Sequence, residues 1–259
     1  RIIVMKIGVI GVGVVGTAIE KGFRELGHIV KTHDIKYNTK VENILDTKIV
    51  FLCLPTNPTR RGECDTKALF QVVRRLNHLR YKGIIAIKST IIPGTYAQLK
   101  QEFDEQRMCH VPEFLREKFA YEDFTENHNV LVVGAPNYDV SRIVINCHGS
   151  YPKNIIEMKP EEAEFVKYFS NVFKAVKITF ANSFGKICDE FKVDYSTVLK
   201  AYELENVKET SYLKYSKELR GFGGMCLPKD VQALSKLVEK EDIDVNLFKF
   251  ILEENEKFV

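Results

Sequence analysis

The chain has 259 residues, 45% of them hydrophobic and 28% charged, which is enough to bury one large or two modest cores. With 38 basic and 35 acidic residues the formal charge is +3, too even to point to nucleic acid or a membrane surface. No run approaches the roughly 20 consecutive apolar residues of a membrane span, and Arg1-Ile2-Ile3-Val4 is not followed by the hydrophobic stretch and cleavage site of a secretory signal. Met5-Lys6-Ile7 reads as the natural start, and a cytoplasmic location is expected. None of the six cysteines forms a CxxC pair, so reduced thiols are expected rather than a disulfide framework or a zinc site.

In chain order, apolar runs rich in Val and Ile recur at Lys6–Ile10, Ile29–His33, Lys48–Leu54, Gly83–Ile87, Met108–Val111 and Val130–Val133. Helical stretches such as Val14–Leu26 and Thr66–Leu79 separate several of them. Near-continuous apolar strands alternating with helices predict an α/β fold, a Rossmann-type doubly wound parallel sheet covered on both faces. After Pro152 the pattern turns helical, with one long helix from Pro160 to about Phe191, then Tyr195–Glu205, Pro228–Glu239 and Val245–Lys257. On the long helix Phe165, Phe169, Val172, Val176, Phe180 and Ile187 recur at helical spacing. The expected organisation is a dinucleotide-binding domain over residues 1–152 and an all-helical domain over 153–259.

Gly11-Val12-Gly13-Val14-Val15-Gly16 follows the first apolar run and opens a helix. Gly11 permits a tight turn, Gly13 a close approach of a pyrophosphate, and Gly16 close packing of helix on strand. The free N–H groups of the helix start, among them those of Val14 and Val15, favour an anion. Asp34 lies 18 residues beyond Gly16, near the about 20 expected for an acid that grips a ribose 2′-hydroxyl. A carboxylate there favours NAD over NADP, while the neighbouring Lys36 works the other way. A glycine-rich turn without a ligand is the alternative.

Four further segments carry polar groups. Gly221-Phe222-Gly223-Gly224-Met225-Cys226-Leu227-Pro228-Lys229-Asp230 sets a cysteine just before a helix, where the dipole and Lys229 favour a thiolate. The same pattern equally fits a buried turn cysteine with Asp230 serving only the dipole. Lys167 and Asn171 are four apart on the long helix and share a face, so they could hold an oxyanion, although a lone helix lysine is more often simply solvated. Pro112-Glu113-Phe114-Leu115-Arg116 and Lys88-Ser89-Thr90 follow strands, at the carboxyl ends where ligands of open α/β sheets bind. Thr90 as a helix cap and Glu113 as a surface charge are the competing readings.

Gly11–Gly16, Leu54-Pro55-Thr56, Lys88-Ser89-Thr90, Pro93-Gly94-Thr95, Pro112–Arg116, Lys167 with Asn171, and Gly221–Asp230 occur in one order. Together they resemble the UDP-glucose/GDP-mannose dehydrogenase family over nearly the whole chain. The resemblance implies NAD as cofactor, a nucleotide sugar (UDP-glucose foremost) as substrate, and two successive hydride transfers that carry the sugar C6 alcohol to a carboxylate. It assigns the nucleophile to Cys226, the oxyanion to Lys167 and Asn171, and water or proton handling to Asp230, Glu113 and Thr90. Cofactor contacts fall to Gly11, Gly13, Val14, Val15, Gly16, Asp34, Lys36, Pro55, Thr56 and Thr90. Substrate contacts fall to Glu113, Phe114, Leu115, Arg116, Lys167, Gly223 and Gly224. It further implies a role in polysaccharide biosynthesis, a homodimer built on the long helix, and a third, C-terminal nucleotide-binding domain of roughly 100 residues or more that this sequence lacks. One departure is Asn129-Val130, where the family often has an arginine before the strand at Val132-Val133-Gly134. Two other functions compete: a non-catalytic or regulatory NAD-binding module, and a two-electron 3-hydroxyacid-type dehydrogenase that uses Lys167 without a cysteine.

Overall fold

The computed structural model describes residues 3–205, 212–216, 218 and 220–258. Its elements, in order, are β1 (Lys6–Ile10), α1 (Val14–Glu25), β2 (Ile29–His33), β3 (Ile49–Leu52), α2 (Lys67–His78), β4 (Ile84–Ile87), α3 (Thr95–Glu102), β5 (Met108–His110), α4 (Ala120–Thr125), β6 (Leu131–Gly134), α5 (Tyr138–His148), β7 (Ile155–Met158), α6 (Pro160–Glu190), α7 (Tyr195–Glu205), α8 (Leu227–Lys240) and α9 (Leu247–Asn255). They fall into two compact units. One comprises the chain up to Thr56 together with Asp65–Lys167. The other comprises Asn57–Cys64 and the chain from Tyr168 onward.

The first unit is a seven-stranded sheet in the order β2-β1-β3-β4-β5-β6-β7. Strands β2 through β5 run parallel, β6 joins β5 antiparallel at His110 and Gly134, and β7 pairs parallel with β6. The apolar strands split their side chains between two cores. Ile7, Val9, Ile49, Phe51, Ile84 and Ala86 pack with Ile19 and Phe23 of α1 on one face. Val50, Leu52, Ile85 and Ile87 pack with Leu69 and Val73 of α2 on the other. Strands buried on both faces show no polar alternation, which is why they read as continuous apolar runs.

β7 breaks that rule. It is an edge strand whose Ile155 and Ile156 are 42% and 48% exposed, so it lacks the signature that marks the five strands between the two edges. It and the first two turns of α6 stay with the sheet, whereas the sequence expectation divided the chain after residue 152. Gly134 makes that packing possible, because a Cβ there would sit 2.6 Å from the Ala163 Cβ and 2.9 Å from the Pro160 Cα. Glu164, fully buried on α6, accepts the Gly94 and Tyr96 N–H groups at the start of α3, at 2.8 and 2.6 Å.

In the second unit α6 presents Val172 and Ala175 to a core with Phe222, Val231 of α8 and Ile251 of α9. A smaller core joins Ala181 and Cys188 to Tyr195 of α7. The phenylalanines of α6 lie elsewhere on the helix: Phe169, Phe173, Phe180 and Phe184 are exposed, stacked in pairs at 6.3 and 5.7 Å. They line an apolar groove of about 870 Å³ together with Tyr195 and Tyr202. The expected stripe therefore separates, with Val172 inward and the aromatic rings outward.

Candidate active site

In the first unit the loop after β1 takes the shape its glycines allow. Gly11 has φ +91°, and a Cβ there would lie 2.4 Å from the Cys53 carbonyl oxygen. A Cβ at Gly16 would lie 1.9 Å from the Gly11 carbonyl, so α1 must approach its own strand loop closely. Nothing lies within 4 Å of the corresponding point at Gly13, which is exposed and leaves the backbone open to a ligand. Gly13 caps α1 without a side chain, and the first turn holds no acid. The start of this 12-residue helix, with Val14 and Val15 in its first turn, therefore offers N–H groups to an anion.

Asp34 sits at the end of β2. Its Oδ2 accepts the Val12 N–H at 2.7 Å and its Oδ1 the Lys36 N–H at 2.8 Å. The Lys36 N–H bond is the main cause that holds the carboxyl below its ordinary value, against a smaller burial effect. Each oxygen retains a lone pair for a ribose hydroxyl. The Lys36 side chain is exposed. The fingerprint loop, the free helix start and the acid thus fit a dinucleotide. Pro55 is exposed, while Thr56 is buried and donates to the Thr90 carbonyl at 2.7 Å, tying the loops after β3 and β4. Thr90 lies well upstream of α3, which Gly94 caps.

The loop after β5 is organised by charge. Glu113, 8% exposed, accepts the Lys88 ammonium at 2.5 Å through Oε2 and its neighbour Phe114 N–H at 2.8 Å through Oε1. Lys88 is itself 3% exposed. Burial pushes the Glu113 carboxyl up, but Lys88 and smaller contributions from His128 and the Phe114 N–H hold it below its ordinary value. Glu113 is thus a buried ion-pair partner and not the surface charge of the competing reading. Leu115 packs partly buried against the sheet core. Arg116 grips Asp123 with two guanidinium nitrogens, at 2.9 and 2.7 Å, and covers the Phe119 ring at 4.8 Å. The Lys167 ammonium, half-buried, stands 5.4 Å from the centroid of the Phe114 ring.

In the second unit Cys226 is the residue at the N-terminus of α8, exposed and without a side-chain bond to the helix. It is not the buried turn cysteine of the alternative reading. One turn on, Asp230 is 1% exposed; its backbone N–H donates to the Cys226 carbonyl at 3.0 Å. Its Oδ2 accepts the Asn171 amide at 2.6 Å, and Lys229 Nζ lies 3.0 Å from Oδ1 without hydrogen-bond geometry. Asn171 therefore lies on the buried face of α6, its amide held by Asp230.

The glycine turn before the thiol is clamped by two other amides. Asn182 accepts the Gly221 N–H at 3.0 Å, and Asn255 both accepts from and donates to the Phe222 backbone, at 2.7 and 3.0 Å. Gly223 and Gly224 are exposed, with open space where a Cβ would stand and φ +75° at Gly224. Nothing in the sequence marked Asn182 or Asn255, because a buried amide carries no pattern of its own. Lys88 had a faint signal, a lysine directly abutting a fully apolar strand.

Residues 29–149 match the NAD binding domain of the UDP-glucose/GDP-mannose dehydrogenase family, and residues 161–257 its central domain. The loop Gly11–Gly16 precedes the matched span. A UDP-glucose 6-dehydrogenase of Rickettsia bellii is 29% identical over 229 residues, 85% of this chain and 51% of that protein. One of Bacillus subtilis is 28% identical over 295 residues, 97% of this chain and 63% of that protein. The chain thus spans about half to under two thirds of the length of these relatives. The solved structure of a UDP-glucose dehydrogenase from Pyrobaculum islandicum superposes with a TM-score of 0.89 at 27% identity, covering 99% of this chain and 69% of that one. A 3-hydroxyisobutyrate dehydrogenase of Mycobacterium tuberculosis shares the fold, with a TM-score of 0.77 at 13% identity, covering 98% of this chain and 94% of that one.

Proposed function

Because the chain belongs to the UDP-glucose/GDP-mannose dehydrogenase family, we propose that it oxidises the C6 alcohol of a nucleotide sugar, UDP-glucose foremost, to the carboxylate with NAD. The observation that carries this reading is Cys226, exposed at the N-terminus of α8 with Asp230 one turn beneath it. Bound NAD accepts hydride, and the protein has to supply geometry and proton handling.

In the proposed sequence the alcohol loses a proton and a hydride to become an aldehyde. The Cys226 thiolate adds to the aldehyde carbon, forming a C–S bond and an oxyanion that Lys167 and Asn171 stabilise. A second hydride leaves that carbon to give a thioester. Water then attacks, the C–S bond breaks, and the thiolate is restored beside a carboxylate. Two NAD are reduced and one water is consumed per sugar. Glu113, Thr90 and Asp230 take the protons and orient the water, with Glu113, Phe114, Leu115, Arg116, Gly223 and Gly224 contacting the sugar nucleotide.

The exposed phenylalanines of α6 and the groove beside them fit a second copy of the chain, so a homodimer is part of the reading. No helix among the described residues is long and apolar enough to cross a membrane, and we place the protein in the cytoplasm. The test is NADH formation from UDP-glucose, GDP-mannose and UDP-N-acetyl sugars. Two NADH per sugar are expected, with Cys226→Ala unable to make the carboxylate. NAD binding without turnover on any sugar would leave only a binding module. Full activity in Cys226→Ala would point to a two-electron dehydrogenase.

A further inference from the structure

We propose that Lys88 is the positioning residue for Glu113: its buried ammonium fixes that carboxylate in place and keeps it charged, so that Glu113 meets the reaction as a proton acceptor. The inference rests on the oxidation proposed above. β4 and β5 are neighbours with Ile87 opposite His110, so Lys88 and Glu113 emerge at adjacent strand ends. Their charged atoms are 2.5 Å apart, and both side chains are more than nine-tenths buried. A carboxylate this far from water takes up a proton unless a cation or several donors hold it. Glu113 has one backbone donor, Phe114 N–H, besides Lys88.

The other titratable groups around the pair supply little of the charge, His128 adding a smaller attraction than Lys88. His128 and His148 are pushed below their ordinary value chiefly by burial, and His110 is pushed down to about 3. Cys53 and Cys109 are pushed up to about 12, again by burial, and stay as thiols. Lys88 is therefore the principal cation that Glu113 meets among the described residues. A purely structural ion pair would need no free capacity at the acid, yet each Glu113 oxygen accepts one hydrogen bond and keeps a lone pair.

The test uses the full chain with ¹³C-carboxyl glutamate, Glu113→Gln assigning the resonance. Glu113 in the wild type is expected to titrate below the ordinary 4.5. In Lys88→Met, and in Lys88→Gln should the first variant fold poorly, it should titrate roughly one to three units higher; Lys88→Arg should keep it low. In turnover the acid limb of kcat should move up in step in Lys88→Met, with KM for the sugar nucleotide little changed. An unmoved Glu113 titration in both neutral variants, or a moved titration with an unmoved acid limb, overturns the proposal. The titration needs no substrate, so a wild type that forms no NADH refutes the oxidation while the resonance still decides the pairing.

Discussion

The two compact units build reactive ends by opposite means. At the dinucleotide end the backbone decides: Gly11 and Gly16 permit contacts that no Cβ could make, Gly13 leaves the backbone open, and Asp34 is set by two N–H bonds. At the cysteine end side chains decide: Asn182 and Asn255 clamp a glycine turn, and Asn171 holds Asp230 beneath an exposed thiol. The first kind of site is written in residues that cannot be exchanged. The second depends on amides drawn from distant helices, and so it is sensitive to the surrounding packing.

The largest expected effect separates chemistry from structure at the cysteine end. Cys226→Ala should lower carboxylate formation by about 10³-fold or more while the fold and NAD binding persist, read by NADH stoichiometry and calorimetry. Next come the glycines. Gly16→Ala forces a Cβ to within 1.9 Å of the Gly11 carbonyl and should cost stability, about 1–3 kcal/mol, along with NAD affinity. Gly13→Ala meets no atom within 4 Å and should leave the melting temperature unchanged while weakening NAD. Equal melting losses in the two variants would erase the contrast drawn for the first unit.

Loosening the clamps is expected to cost similar stability but to spare NAD binding. Asn255→Ala leaves the buried Phe222 N–H and carbonyl without their partner; it should cost about 1–3 kcal/mol and lower kcat with NAD affinity intact. An NAD affinity that fell in parallel would show that the two ends are not separately built.

The smallest effect concerns pH. His148, packed against Phe23, Phe51 and Phe124, has its pKa pushed well below 6.5 by burial. The unfolded chain binds the proton first, so His148 lowers stability progressively as pH falls below about 6.5 and has no such effect above it. Glu164, raised by burial to about 7, acts in the opposite sense, its penalty fading as pH falls from 7. Comparison of wild type with His148→Phe cancels Glu164. The variant's relative melting temperature should rise between pH 8 and pH 5; a constant difference would contradict the assignment.

Most of the sheet was legible because the five strands between its edges are buried and read as apolar runs; β7, exposed at the edge, was not. The glycine loop, Asp34 and the position of Cys226 at a helix start followed from local spacing. What spacing could not convey was partnership across the chain. Lys167 and Asn171 were paired by their four-residue interval, yet the amide of Asn171 is held by Asp230, 59 residues away. Likewise Glu113 looked free until Lys88, 25 residues earlier, met it at the next strand end. Helical periodicity marked α6 as amphipathic without telling that Val172 faces a core and the phenylalanines do not.

The most direct measurement is intact-mass and peptide analysis of the chain after mixing with UDP-glucose and NAD and quenching in acid, using Asp230→Asn to slow hydrolysis. The account predicts a sugar-nucleotide adduct on the peptide that holds Cys226, absent without NAD and absent in Cys226→Ala. Carboxylate made without any adduct, or an adduct on another cysteine, would contradict it.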